Sequence, residues 1–213
     1  MTGLDRVIVN RGFRSALGLF WRRWFSNPLA IGAVVPSAPG LARRMAREVV
    51  RGEGEAVVEL GPGTGTVTRA LIASGVPEDR LILVERDAEM HGFLVEQFPD
   101  ATVIHGDAAE LAEVLPRQWN GRVSTVVSSL PLLGVPADRR ARIADAAFSA
   151  MTDHGRLVQY TYSLFCPLRG AAPHIRGQRT GFAAFNLPPA TVWRYTSPGH
   201  TSSRGGEAAR PES

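Results

Sequence analysis

The residues best placed to do chemistry lie in Val57-Val58-Glu59-Leu60-Gly61-Pro62-Gly63-Thr64-Gly65. An apolar run ends in a carboxylate and then breaks into glycines. Val67, Ala70 and Leu71 follow on one side of a helical repeat. The pattern is strand, glycine turn, helix. Glycine lets a backbone turn sharply and approach a ligand closely, and the helix N-terminus behind it favours electronegative groups. The spacing is G-x-G-x-G, not the G-x-G-x-x-G that cradles a pyrophosphate, and no G-K-[ST] ending marks a P-loop. Glu59 would repel a pyrophosphate, but it can accept hydrogen bonds from an ammonium. Two more carboxylates close apolar runs: Glu85, positioned to accept both ribose hydroxyls of a nucleoside, and Asp107.

The E-x-G-x-G-x-G arrangement resembles motif I of class I S-adenosylmethionine-dependent methyltransferases. The resemblance implies S-adenosylmethionine as cofactor, with its methionine ammonium near Glu59 and its adenine amine at Asp107. The residues expected to line it are Glu59, Gly61, Pro62, Gly63, Thr64, Gly65, Glu85, Arg86, Gly106, Asp107, Ala108, Ser128, Ser129 and Leu130.

The element that selects the acceptor is Ser128-Ser129-Leu130-Pro131-Leu132-Leu133. It resembles the N-[LP]-P-[YF] motif of adenine and amine methyltransferases, in which a polar side chain and the carbonyl beside the proline hold the amine. Ser129 stands where asparagine is usual, and Leu132 where an aromatic stacks on a flipped base. An amine other than a nucleobase is therefore expected. Tyr160 and Tyr162 are two apart on a strand and share a face. Tyr160 is expected to orient the amine, with Ser129 and Tyr162 as further catalytic candidates. Leu132 and the tyrosines are expected at the substrate, with Arg169, His174, Arg176 and Arg179 as candidate partners of a phosphate.

These residues need elements to position them. Strands are predicted near 56–60, 80–85, 101–105, 123–129 and 155–162. Helices are predicted near 38–50, 64–74, 88–97, 108–115 and 137–151, the first capped by Ser37. Strand–helix alternation implies an α/β fold: a mainly parallel, Rossmann-like sheet of seven strands with helices on both faces. A closing hairpin is expected from 181–186 and 190–195, after a loop over 163–180.

The chain has 213 residues, which suits one domain with a sizeable core. Its net charge is +4, and every cation is arginine. A basic balance fits an anionic partner. The single cysteine, Cys166, excludes an internal disulfide, and no metal-ligand spacing is present. No run is long enough to span a bilayer, and no signal peptide is read, so export is not expected. Residues 1–28 differ from the rest. Phe13, Leu17, Phe20, Trp21 and Trp24 share one helical face, with Arg14, Arg22 and Arg23 among five arginines in the segment. That is the composition of a helix lying in lipid headgroups. The organisation expected is a membrane-contacting helix over 1–28, a catalytic domain over 29–196 and a disordered polar tail over 197–213.

Asn27-Pro28, Ile31-Gly32-Ala33-Val34-Val35-Pro36-Ser37, the glycine motif, Ser128 to Leu133, Gln159-Tyr160-Thr161-Tyr162 and Asn186-Leu187-Pro188-Pro189-Ala190 are together similar to the bacterial phospholipid N-methyltransferase family. The similarity implies methylation of phosphatidylethanolamine toward phosphatidylcholine. It implies a monomer bound peripherally to the inner face of the cytoplasmic membrane, with no metal and no nucleic-acid partner. The alternatives are an rRNA or DNA adenine N-methyltransferase using the same cofactor site, and a non-catalytic cofactor sensor at a membrane.

Overall fold

A computed structural model describes residues 38–183 and 190–197. The aromatic face of residues 1–28, the Ile31 to Ser37 stretch, Asn186 to Pro189 and the tail beyond Ser197 lie outside the described residues.

Seven strands form one sheet: β1 (Ala56–Leu60), β2 (Leu81–Glu85), β3 (Thr102–His105), β4 (Val123–Ser128), β5 (Met151–Thr161), β6 (Arg176–Ala183) and β7 (Ala190–Thr196). Their order is β3-β2-β1-β4-β5-β7-β6. The first five run parallel, and β7 lies antiparallel between β5 and β6. The near-continuous apolar character of β1 and β2 follows from burial on both faces, and β4 is buried along its whole length as well.

Helices α1 (Ala38–Arg47), α2 (Thr66–Ala73) and α3 (Ala88–Gln97) cover one face; α4 (Leu111–Val114) and α5 (Ala137–Ala150) cover the other. Leu41, Met45, Leu71 and Leu94 pack with Val57, Leu83, Val127 and Val158 on the first side. Leu111, Ile143, Ala147 and Phe148 pack with Val58, Leu60, Val126 and Leu157 on the second. The two-residue period of the strands sorts these sets.

The chain winds from β1 to β2 and β3 on one side, then returns to β4 and β5 on the other. The direction of winding reverses between β1 and β4, which opens a crevice at their carboxyl ends. The Gly61 amide donates to Val84 O and the Ser129 amide to Leu60 O, both at 2.9 Å. These bonds hold the ends of β1, β2 and β4 together at the crevice.

Three expectations need correction. α1 ends at Arg47 rather than Val50. β5 begins at Met151, four residues early, because Met151 pairs with Val123 before the register shifts to Thr125–Arg156. The loop expected over 163–180 gives way to β6 from Arg176. Among the described residues β6 pairs only with β7, and an edge strand tolerates the glycines and charges that hid it.

Candidate active site

Gly61, Gly63 and Gly65 all have positive φ, at 66°, 54° and 74°. That region is costly for any residue with a Cβ. A Cβ on Gly61 would sit 2.5 Å from Leu130 Cδ2, and one on Gly65 would sit 2.5 Å from Phe98 Cε2. The turn is thus pressed between the acceptor turn and α3, and glycine is required by space as well as by dihedral angle.

Glu59 is the last inward residue of β1 on the α1–α2 face and is fully buried. Its Oε2 accepts from Thr68 Oγ1 at 2.6 Å and its Oε1 from Ser129 Oγ at 3.3 Å. Burial pushes its pKa up to about 7. The two hydroxyls oppose that rise, and the nearby Glu85 charge adds to it. No guanidinium pairs with Glu59, so a ligand ammonium would be its first full counter-charge among the described residues.

Glu85 is held by three backbone amides. Oε2 accepts from Gly63 N at 3.2 Å; Oε1 accepts from Arg86 N at 2.8 Å and Asp87 N at 2.9 Å. A carboxylate offers about four acceptor positions, so room remains for one further donor, where the sequence led us to expect two ribose hydroxyls. The bond to Gly63 also ties the β2 carboxylate to the glycine turn.

Asp107 Oδ1 accepts from Ala109 N at 2.9 Å, and Oδ2 is paired with the Arg139 guanidinium. Burial pushes its pKa up, but the Ala109 amide and Arg139 outweigh that and hold it below the ordinary carboxylate range. Arg139 was not legible as a site residue. It lies 32 positions away, near the start of α5, with no motif around it.

Other cofactor-lining candidates sort by placement. Pro62 and Ala108 are buried beside the turn and strand ends, Thr64 and Arg86 are exposed, and the Gly106 amide bonds Glu85 O at 3.0 Å. Ser128 is fully buried and alternates with Val127, so its side chain faces α4 and α5, away from Glu59. Its side chain does not join the carboxylates.

The acceptor turn also departs from expectation. Leu132 is 2% exposed and packs into the core, so it does not line an accessible surface. The carbonyl preceding Pro131, Leu130 O, accepts from Leu132 N and from Gln159 Nε2, each at 2.9 Å. With both lone pairs engaged, it is not free to hold an amine. Gln159 also donates to Tyr160 O, so one buried amide links the acceptor turn to the end of β5. Of the expected pair that holds the amine, the Ser129 hydroxyl is the member left.

Tyr160 lies on the same sheet face as Glu59, half-buried, with its ring edge-on to Tyr162 at 5.4 Å. Burial, then Tyr162 and the Glu59 charge, push its hydroxyl pKa far above the ordinary value. Tyr160 therefore stays protonated, so its hydroxyl is available for hydrogen bonding and not as a base.

The four phosphate candidates separate. Arg169 is exposed after β5, and His174 is taken up by Asp145 of α5 at 2.9 Å. Arg179 pairs across the sheet with Trp193, which pairs Gln159, and it lines a cleft with Leu164, Gly181 and Phe182. Arg176 pairs Thr196 at the opposite end of the strands, far from Ser129. Among the described residues, no group of three His, Cys, Asp or Glu side chains is placed to hold a metal. Nor is any described helix long and apolar enough to cross a membrane.

No family model matches the chain. An ornithine lipid N-methyltransferase of Singulisphaera acidiphila is 29% identical over 178 residues, covering 82% of this chain and 93% of that protein. Ribosomal RNA small subunit methyltransferase A of Phenylobacterium zucineum is 37% identical over 100 residues. That match covers 45% of this chain and spans a third (33%) of the relative's length. Among solved structures, a TehB-like SAM-dependent methyltransferase from Corynebacterium glutamicum superposes with a TM-score of 0.55 at 15% identity. It covers 88% of this chain and 99% of the other, and the likeness is one of fold. Sheet order, glycine turn and the superposition show the Rossmann-like methyltransferase fold. S-adenosylmethionine is the cofactor of the TehB-like neighbour. The cradle fits that group: a turn that admits no Cβ, a buried carboxylate suited to an ammonium, and two further carboxylates at the neighbouring strand ends.

Two outcomes follow. Glu85→Ala should weaken S-adenosylhomocysteine binding by about 1–3 kcal/mol, because a charged acceptor is lost and the Gly63 amide is released. Calorimetric titration reads this, and unchanged affinity in the folded variant would remove Glu85 from the site. Glu59 binds its proton more tightly folded than unfolded, since its folded pKa of about 7 lies above the ordinary value of 4.5. Its contribution to stability is therefore complete below about pH 4.5 and is lost as pH rises to about 7. The loss is roughly 3 kcal/mol. Urea unfolding of wild type and Glu59→Gln across that range should show the dependence in wild type alone; parallel curves would mean that Glu59 ionises normally.

Proposed function

We propose that this protein transfers methyl groups from S-adenosylmethionine to the amine of phosphatidylethanolamine, and in turn to its mono- and dimethyl forms, toward phosphatidylcholine. It does so as a monomer resting on the inner face of the cytoplasmic membrane. The observation that carries a lipid amine as acceptor is the lipid relative, which aligns with 82% of this chain and 93% of its own length; phosphatidylethanolamine in particular rests on the motif resemblance of Ser128 to Leu133 and Gln159 to Tyr162. The acceptor turn supports it. With Leu132 folded inward, no ring stands in that turn to stack on a flipped base.

S-adenosylmethionine, when bound, supplies an electrophilic methyl group. The chain's part is to present a neutral amine in line with it, and alignment alone can lower a barrier by roughly 7–11 kcal/mol. A lipid primary ammonium, like lysine, has a pKa near ~10, so it must give up a proton to solvent water before it attacks. Tyr160 cannot take that proton, because its own hydroxyl is held protonated. Its role is to accept a hydrogen bond from the amine and orient the lone pair, with Ser129 beside it at the end of β4. The Tyr160–Tyr162 faces suit the methylated cations of later steps.

A second reading keeps the chemistry and changes the lipid: the amine of an ornithine lipid, favoured by the name of the same relative. An rRNA adenine acceptor is supported less, since such a relative aligns with 45% of this chain.

The test is to incubate the protein with methyl-labelled S-adenosylmethionine and, separately, phosphatidylethanolamine vesicles, ornithine-lipid vesicles and ribosomal RNA. Label in the phosphatidylethanolamine fraction is expected, and turnover should fall about tenfold or more in Tyr160→Phe at unchanged S-adenosylhomocysteine affinity. Label confined to ornithine lipid or to RNA would replace the reading, and full turnover in Tyr160→Phe would reduce Tyr160 to packing.

A further inference from the structure

At the end of the sheet away from the glycine turn, three arginines converge on one cleft. Arg176 of β6 pairs Thr196 of β7, and Arg156 of β5 is the neighbour of Leu157, which pairs Tyr195. Arg194 pairs both Val158 and Gln178. Arg156, Arg194, Gln178, Thr196 and Arg176 therefore share the sheet face that carries α1. They line a cleft of about 420 Å³. Arg156 pairs Thr125, whereas Gln159 pairs Ser128. The cleft thus lies three residues, roughly 10 Å, down the strands from the acceptor turn.

Its charges are not balanced. Arg194 reaches Glu48 at 3.6 Å and donates to Gln178 Oε1 at 2.6 Å. Among the described residues, that one carboxylate stands against three guanidinium groups. Arg156 Nε is buried and has no hydrogen-bond partner among the described residues, and Arg176 is exposed at the rim. Burial and the Arg194 charge both push the Arg156 pKa down, with Glu48 opposing. Buried donors normally find acceptors, and clustered guanidinium groups repel unless an anion joins them. Planar forks from separate strands match the oxygens of a tetrahedral oxyanion.

We propose that this cleft is a second anion site, distinct from the methyl-transfer crevice, that takes a phosphoryl group. A soluble phosphate ester and a phospholipid headgroup both present that chemistry. The proposal does not depend on which amine is methylated, because no residue of the cleft belongs to the crevice.

The test is calorimetric titration of the full chain with inorganic phosphate at constant ionic strength in chloride. Saturable binding is expected in wild type and in Arg142→Gln, an exposed α5 position that controls for net charge. Affinity should fall at least tenfold in Arg156→Gln/Arg176→Gln, with S-adenosylhomocysteine binding retained as the check on folding. Should the double variant fail to fold, Arg176→Gln alone, at an exposed position, should show a fall of at least threefold. Absence of saturable phosphate binding, or equal binding by wild type and the variants, overturns the proposal. Glycerol 3-phosphate and phosphatidylcholine vesicles carrying phosphatidic acid are then each tested as competitors of phosphate. Displacement by the first assigns a soluble ester and displacement by the second a lipid headgroup; displacement by neither overturns the site.

Discussion

A carboxylate that water cannot reach sits near the carboxyl end of β1, and much of the structure is arranged around it. Glu59 is held by two hydroxyls, one from the helix after the glycine turn and one from the acceptor turn. Those hydrogen bonds offset part of the desolvation but leave the carboxyl with a pKa of about 7. A buried charge without a counter-ion is costly. The site therefore favours a cation that can enter beside the glycines, and an ammonium meets that requirement.

The same residue couples the two halves of the crevice. Thr68 belongs to the helix that follows the cofactor turn, and Ser129 to the turn proposed to receive the amine. Gly61 lies against Leu130, and Leu130 O is held by Gln159, whose amide also grips the backbone of Tyr160. Cofactor turn, acceptor turn and tyrosine strand are linked through a few short contacts.

What could be read in the sequence follows a physical division. The glycine turn was legible because positive φ at Gly61, Gly63 and Gly65 is a local demand that glycine meets most readily. The parallel strands were legible because burial on both faces writes a continuous apolar run. Arg139 on Asp107 and Gln159 on Leu130 were not, since each pair joins residues about thirty positions apart and only the folded sheet brings them together. β6 was hidden because an edge strand can carry Arg176, Gly177, Gln178 and Arg179 without an apolar face. Leu132 was misplaced because the 3₁₀ turn over Leu132–Gly134 points it into the core rather than toward the acceptor.

The central claim is that Glu59 is the partner of the cofactor's ammonium, and proton release on binding tests it most directly. With a carboxyl pKa of about 7, Glu59 is mostly protonated at pH 6 and mostly ionised at pH 8.5. An ammonium that pairs with it must expel that proton at the lower pH. Titration with S-adenosylhomocysteine in buffers of different ionisation enthalpy counts the protons. Release of close to one proton is expected at pH 6, falling toward zero at pH 8.5 and absent at both in Glu59→Gln. Binding to wild type without proton release at pH 6, or the same release from Glu59→Gln, would contradict the account.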